Sequence, residues 1–446
     1  MRKSGRGVSN SNAISLETME SRLLLAGNVE VFVRGGNLNI LGDENDNSIV
    51  VTQVDDTTFQ VASGADVTTI NGEDGPLVFE GVTRDLRANM RDGADTLEIT
   101  DVVIRGISIK NGNGDNTTTL SNVGVINSIA ITNGTGIDTT SIAADTGKNL
   151  KILNGAGDNT TSVTGSFINV TIKGGADADT VTLAGADVQR NLSISNGKGL
   201  ATTTVTGTTV MRNISLGGST GDATIALTDT TVVGGVKIIN GNGNLTATVE
   251  NSSLGMGDGN GRTANVAILS RTGTDTVTTT GTEFGRDVKV SLGNGDAALT
   301  LNGGTAVGRN LSVNTGNGND IVTVDTATVL GTKKIATGSG DDMVVIEDAV
   351  LNKVQIKTGS GNDQLMIEQT SPTDDTNATL INGPATFDLG TGSDTIMSGV
   401  TETTGNMVMF GDTVRVNGGR DGDTDTLLAP DDVNLFVVEP VVVNID

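Results

Sequence analysis

The stretch Gly338-Ser-Gly-Asp-Asp342-Met-Val-Val-Ile346 decides the fold, because it returns as Gly359-Ser-Gly-Asn-Asp363-Gln-Leu-Met-Ile367. Each copy places a Gly-x-Gly-x-Asp turn before alternating apolar residues. The last residue of this turn, the turn position, recurs about every 22 residues, which is typical of a repeat protein. Longer intervals precede Asp275 and Asp394 and indicate loop insertions. The turn position is occupied in chain order by Asp95, Asn116, Asp138, Asn159, Asp179, Ala201, Ala223, Leu245, Asp275, Ala297, Asp320, Asp342, Asp363 and Asp394.

The residues around each turn have the period of β-strands. Pairs such as Ile107/Ile109 and Val354/Ile356 alternate just before the turn, and an aliphatic residue follows four positions after most turns. Alternation by two indicates strands, because successive strand side chains point to opposite faces. Three short strands per period predict an all-β fold, a parallel β-helix or solenoid of roughly triangular section, and we favour the right-handed form. A β-sandwich or a propeller is the alternative, although a propeller blade needs ~40 residues per repeat.

The composition suits a thin core and excludes several classes of function. A hydrophobic content of 35% is low for a compact globule of 446 residues, but a solenoid needs only a few inward residues per coil. The net charge of −25 argues against nucleic-acid binding and against docking on anionic lipid. The sequence contains no Cys, His, Trp or Tyr, so disulfides, thiol chemistry and the commonest general base do not contribute. No apolar run is long enough to span a membrane.

The N-terminal segment Glu20-Ser-Arg-Leu-Leu-Leu-Ala-Gly27 resembles the LEPR-x-LL segment of planctomycete surface and secreted proteins. Ser21 stands where that family has Pro. The resemblance implies a bacterial, planctomycete protein that is exported, and hence an extracellular or cell-surface location. We therefore divide the chain into an export or sorting segment at 1–27, an N-terminal β cap at 28–88, the solenoid repeats at 89–400 and a C-terminal cap at 401–446.

The turns from residue 316 onwards resemble the calcium-binding nonapeptide of RTX proteins, in which Asp carboxylates of successive turns hold Ca²⁺. The resemblance implies Ca²⁺ as a cofactor, and stacked acids repel one another unless a cation intervenes. The period here is about 22 rather than nine, and several turns lack the acid, so the same residues are also typical of corners that bind no metal. The candidate metal ligands are Asp320, Asp341, Asp342, Asp363 and Asp394.

Two further patterns lie outside the turns. Thr runs occur at 117–119, 139–140, 160–161 and 202–204, and regular Thr arrays on β-solenoids can order water as in ice-binding proteins. The runs fade at Val181 and after Thr204, so we expect ordinary strand exteriors rather than one continuous array. A second pattern is basic residues just before the pre-turn strand, which we expect to be a surface charge ladder or simply solvated side chains: Lys148, Arg190, Arg212, Arg286, Arg309 and Lys353.

These observations favour a non-enzymatic extracellular structural or adhesive protein, a stiff acidic rod. The alternative is a calcium-dependent module that recognises a glycan or protein through the insertions within 245–275 and 364–394. A polysaccharide-degrading β-helix enzyme is a minor alternative, because the chain has no aromatic platform for a sugar and no His base. The expected partner is a cell-surface or matrix polysaccharide or protein, and the sequence leaves the oligomeric state open.

Overall fold

The chain winds into a parallel β-solenoid of about 13 turns with about 22 residues per coil. The computed structural model describes residues 27–65, 68–218, 220–257, 264–369, 378–399, 407–419, 424–428, 434–436 and 441–443. From residue 159 onwards each coil contributes one strand to each of three walls, whereas in the first coils one long strand, such as Thr96–Ile104, follows the turn without a separate second-wall strand. Each strand pairs in parallel with its counterpart in the next coil. The all-β parallel solenoid predicted from the repeat is confirmed.

Wall 1 follows the turn. Its strands are Thr96–Ile104, Thr117–Val125, Thr139–Thr146, Asn159–Thr164, Asp179–Ala184, Ala201–Thr206, Ala223–Thr228, Leu245–Glu250, Asp275–Thr280, Ala297–Asn302, Ile321–Asp325, Met343–Glu347, Gln364–Ile367, Thr395–Ser398 and Thr426–Leu428. Wall 2 has short strands, and these are Ser166–Phe167, Asp187–Val188, Thr209–Val210, Thr231–Val232, Ser253–Leu254, Glu283–Phe284, Ala306–Val307, Thr328–Val329, Val350–Leu351, Thr379–Ile381, Val408–Phe410 and Asn434–Phe436.

Wall 3 precedes the turn. Its strands are Asn37–Leu41, Asp85–Arg91, Gly106–Asn111, Ile129–Thr132, Asn149–Leu153, Asn169–Lys173, Leu192–Ser195, Ile214–Gly217, Val236–Ile239, Val266–Leu269, Val288–Ser291, Leu311–Asn317, Lys333–Ser339, Val354–Ser360, Ala385–Thr391, Val414–Asn417 and Val441–Val443. Because every strand stacks in register, identical positions of successive coils form columns that run along the solenoid axis.

The core consists of inward columns of Val, Ile and Leu. In wall 3, for example, Ile129, Leu150 and Val170 stack and are fully buried. Each coil covers the apolar edge of its neighbour, so the solenoid is stabilised by contacts between adjacent coils. One member of the wall 3 column is polar: Lys333 is fully buried between Leu311 and Val354 of the adjacent coils.

The first strands differ from the later coils in their pairing. Asn28–Arg34 pairs antiparallel with Asn37–Leu41, and Ser48–Asp55 pairs antiparallel with Thr58–Ser63, which in turn pairs antiparallel with Leu77–Phe79. Asn37–Leu41 and Ser48–Asp55 then pair in parallel with the first coil and connect these hairpins to walls 3 and 1.

The proposed division of the chain stays a prediction. The strands described after residue 400 continue all three walls in parallel. The LEPR-x-LL-like residues before Gly27 lie outside the described part, as do 258–263 and 370–377 of the two insertions. Within the described residues, no helix has the length and apolar character needed to cross a membrane.

Candidate functional site

The glycines of the turn are required by the stacking of the backbone. A Cβ on Gly338 would overlap the carbonyl oxygen of Gly316, and one on Gly340 would overlap that of Gly318. Both glycines also have positive φ, at +112° and +127°, which side chains with a Cβ rarely adopt. The Gly-x-Gly pattern therefore follows from close contact between successive turns, whether or not a metal binds.

The turn positions form one line along the solenoid, which we call the inner column. Its carboxylates accept hydrogen bonds from the backbone of the preceding coil: Asp342 Oδ1 from the Asp320 N–H at 2.9 Å, and Asp363 Oδ1 from the Asp342 N–H at 2.9 Å. Where the next coil has Ala223, the N–H of Ala201 instead bonds the backbone carbonyl of Asp222, at 2.9 Å. The Asp side chain thus satisfies a buried N–H that a backbone carbonyl satisfies elsewhere.

The residues just before the turn positions form a second, outer column. Here the side-chain oxygens accept hydrogen bonds from the following coil rather than from the preceding one. The Asp341 N–H donates to Asn319 Oδ1 at 2.9 Å, and Asp341 Oδ1 accepts from the Asn362 N–H at 2.8 Å. Of the five predicted metal ligands, Asp341 is therefore exposed in the outer column. Asp320, Asp342, Asp363 and Asp394 are buried and lie one per coil in the inner column. Among the residues the structure describes, no three acidic side chains converge to hold a metal ion.

Burial is unfavourable for the charged carboxylates of the inner column. The Oδ2 atoms of acids along the whole column are buried without a hydrogen-bond partner within the described chain: Asp95, Asp138, Asp275, Asp320, Asp342 and Asp363. Burial raises the pKa of Asp320 to about 6, with a smaller contribution from the carboxylates of Asp342 and Asp296. Burial likewise raises the pKa of Asp342 and of Asp363. A proton would neutralise such an oxygen, which is why burial favours the protonated form.

A third column lies inside the core, five residues before each turn position, and changes chemistry along the chain. In the first coils it is asparagine: Asn111 Nδ2 donates to Asn133 Oδ1 at 2.9 Å and to the Thr118 hydroxyl at 2.9 Å. In later coils it is threonine, where the Thr337 hydroxyl donates to the Thr358 carbonyl at 3.1 Å. Each buried side chain of this kind finds its partner in its own coil or the next.

The outward face of wall 1 is a threonine-rich array, in which one column of Thr is unbroken over 96–276. A Thr directly after the turn position pairs with the same position of the next coil throughout 96–276. A parallel column two residues further on contains Thr119, Ser141, Ser162, Thr182, Thr204, Ala226, Thr248, Thr278, Thr300 and Thr323. We call these two columns the threonine face.

The expectation that the threonines fade at Val181 and after Thr204 is wrong. Val181 is fully buried and points into the core, whereas its neighbours Thr180 and Thr182 continue the outward columns. The expectation counted runs of adjacent threonines, although adjacent strand residues face opposite sides. Alignment by turn position would have revealed the array from sequence.

Comparison with known proteins adds one finding. No family model and no curated protein matches the chain. A solved structure described as a hyperactive, Ca²⁺-dependent, β-helical antifreeze protein from an Antarctic bacterium is 18% identical, with a TM-score of 0.41, over 65% of this chain and 80% of that chain. The likeness is one of β-helical fold alone and assigns no role to any residue here.

Proposed function

We propose that this protein is a non-enzymatic adhesive rod, exported from the cell, that binds an extended ordered surface through its threonine face. The continuous pairing of Thr with Thr from coil to coil carries the proposal. In-register strands place the hydroxyl and methyl groups on a grid, with ~4.8 Å between coils and ~7 Å between the two columns. A grid of this kind meets many points of a regular surface at once, so weak contacts add up.

The chemistry of the face favours an ordered water lattice, as in ice, over a sugar polymer. Sugar rings are usually bound on aromatic platforms, and the sequence has no Trp or Tyr. The face instead offers small hydroxyl donors and acceptors between methyl groups. The face also contains few charges. Glu98 lies in the second column at the first coil, and Glu250 borders the face at the edge towards wall 2.

Partition of the full chain into slowly growing ice tests this proposal. We expect the protein to enter the ice and to slow recrystallisation, and Thr202→Tyr in the middle of the face to reduce both effects at least fivefold. Thr171→Tyr on the outward side of wall 3 is the matched control, and it should behave as the parent protein.

Exclusion of the full chain from ice would contradict the assignment to ordered water. Binding to crystalline cellulose or chitin that is sensitive to Thr202→Tyr would keep the adhesive rod and change its surface. Equal loss from both variants would show that the threonine face has no special role.

Calcium dependence is a second candidate function, favoured by the unpartnered Oδ2 atoms of Asp320, Asp342 and Asp363. These acids occupy successive coils, so their carboxylates stack at ~4.8 Å. Ca²⁺ prefers carboxylate oxygens and would remove the repulsion between them. A ligand that binds only the folded state stabilises it by about 2.7 kcal/mol at a hundred times its Kd.

Thermal melts of the full chain in EDTA and in millimolar Ca²⁺ test the calcium site. We expect Ca²⁺ to raise the melting temperature by several degrees, and Asp342→Asn with Asp363→Asn to abolish the shift. Asp138→Asn with Asp179→Asn is the control, because Asn159 separates those two acids. A melt that ignores Ca²⁺ would leave the carboxylates as corner residues only.

A further inference from the structure

Positive charge on this acidic chain is collected on one wall. Beyond residue 27, most of the described Lys and Arg side chains lie on the outward side of wall 3 or at the corner just before it. The turn edge carries the outer Asx column, and the threonine face of wall 1 is largely uncharged. A protein of net charge −25 therefore presents a cationic surface along its length.

Acids balance only part of the positive charge on this wall. Asp85 lies 3.2 Å from Arg87 and 3.9 Å from Arg105, and Asp388 lies 3.5 Å from Lys357. Further outward lysines of the wall are exposed and have no ion pair within the described part of the chain: Lys110, Lys151, Lys173, Lys237, Lys289 and Lys334. Such unbalanced cations favour an anionic partner.

The spacing of these lysines follows the solenoid axis. Lys237, Lys289 and Lys334 occupy one outward column, each two coils from the next, so they repeat at ~10 Å. At the N-terminal end of the wall, a groove of about 600 Å³ is lined by Arg87, Arg105 and Lys110 together with one acid, Asp85, which leaves an excess of positive charge. The positive charges thus form a line that begins in a concave site.

We propose that the outward side of wall 3 is a docking track for an acidic polysaccharide, whose first carboxylates or sulfates enter the groove of Arg87, Arg105 and Lys110. A linear polymer with regularly repeated acid groups can lie along the axis and meet one cation after another. Arg forks bind carboxylates and sulfates in bidentate fashion, while Lys supplies point charges along the rest of the track.

The net charge of the protein does not prevent this binding at physiological salt. Charges separated by more than about 8 Å are largely screened at 0.15 M ionic strength, and stacked sheets lie ~10 Å apart. A polymer on wall 3 therefore responds mainly to the cations beneath it. Nucleic acid fits the track less well, because the chain has no Trp or Tyr on which bases could stack.

The track and the threonine face lie on different walls, so each can be tested without the other. The probe is polygalacturonate, and its binding to the full chain is measured at 0.15 M salt with neutral dextran as the control polymer. The test variant combines Lys151→Gln, Lys237→Gln and Lys289→Gln. The matched control removes two charges at the turn edge, through Lys198→Gln and Arg271→Gln, which are also exposed, and it is compared with the double variant Lys237→Gln and Lys289→Gln.

We expect the parent chain to bind polygalacturonate but not dextran, the test variant to bind at least tenfold more weakly, and the control variant to remain within twofold. All the substitutions are on exposed side chains, and equal melting temperatures would verify folding. No binding by the parent, equal losses in the control and the double variant, or tighter binding to DNA of equal charge density would overturn the proposal. Self-association of the chain that only the test variant loses, without binding of the polymer, would also overturn it in favour of a second copy.

Discussion

Two stretches of the inner column accept hydrogen bonds from the buried N–H groups of the preceding coil with different residues. In the alternating stretch, Asp95 to Asp179, acids and amides take turns, so carboxylates are two coils apart at ~10 Å. In the acid stretch, Asp320 to Asp394, each coil contributes a carboxylate at ~4.8 Å from the next. An Asn both donates and accepts: Asn116 Nδ2 donates to Asp138 Oδ1, and Asn116 Oδ1 accepts from the Asp95 N–H, whereas a carboxylate only accepts.

The difference indicates which parts of the inner column respond to cations and to pH. Asn116 Nδ2 donates to Asp138 Oδ1 at 3.0 Å and thereby supports an acid of the alternating stretch. Asp342 is followed in the next coil by another acid, Asp363, where Asp138 is followed by Asn159, while the Oδ2 atoms of both Asp138 and Asp342 are buried without a hydrogen-bond partner within the described chain. We therefore expect cations to matter more in the acid stretch, where carboxylates occupy successive coils. Protons should matter in both stretches, since burial raises the pKa of Asp95 to about 6 as it does that of Asp320.

The largest expected effect concerns the turn glycines, which the two stretches share. Gly155→Ala in the alternating stretch and Gly338→Ala in the acid stretch each drive a Cβ into the carbonyl of the preceding coil. We expect each to lower the free energy of unfolding by about 4 kcal/mol, from overpacking and, at Gly338, positive φ. Thermal melts measure the loss.

Gly304→Ala is the control for the glycine variants. Gly304 has a φ of +84° but no atom within 4 Å of its absent Cβ, so only backbone strain remains. We expect a loss of roughly 1 kcal/mol there. A comparable loss at all three positions would show that the contact between successive turns is not the reason for the glycines.

A second prediction concerns the core of the acid stretch, where Lys333 occupies a place held by Ile129 and Leu150 in the earlier coils. Burial lowers the pKa of Lys333 to about 7, and its Nζ has no partner within the described chain. We expect Lys333→Leu to stabilise the fold by roughly 3 kcal/mol at neutral pH, because it removes an uncompensated buried charge.

Lys334→Leu is the matched control, since Lys334 is the exposed neighbour in the same strand. It should change the melting temperature by no more than a degree or two. A destabilised Lys333→Leu variant would mean that the ammonium group has a favourable partner and would remove this difference between the stretches.

The third and smallest prediction is a stability minimum between about pH 6 and pH 7. With a folded pKa of about 6, Asp320 holds its proton more tightly in the folded than in the unfolded state, so its contribution to stability rises as pH falls towards 4. Lys333 acts at the other side: its folded pKa of about 7 lies below that of the unfolded chain, so stability rises as pH increases above 7.

Melting temperatures at pH 4.5, 6.5 and 8.5 measure this profile. We expect Asp320→Asn to reduce the rise on the acid side by on the order of 2 kcal/mol and Asp95, whose pKa burial also raises to about 6, to retain part of it. We expect Lys333→Leu to flatten the alkaline side. Asp341→Asn removes an exposed carboxylate of the neighbouring column and controls for net charge. A profile that falls steadily below pH 6.5 would indicate that acid protonates groups paired in the folded state instead.

The sequence predicted the local features of the site but not the contacts between successive coils. The turn positions and their spacing could be predicted from the sequence, because Gly and Asp at a fixed period indicate a recurring turn. The partners of the carboxylates could not, since the N–H that Asp342 accepts belongs to Asp320, a whole coil away. The threonine face was missed for a related reason, as its members are neighbours only across coils.

The sequence by itself determined the repeat, the three strands per coil, the acidic surface and the absence of aromatic and His chemistry. These are properties of local alternation and composition, which need no knowledge of what lies next to a residue. Only the tertiary structure decided which Lys share the outward side of wall 3 and which Asp oxygens are buried without a hydrogen-bond partner in the described part of the chain. Stacking coils turns residues about 22 positions apart into neighbours at ~4.8 Å, and the chemistry of this protein resides in those contacts.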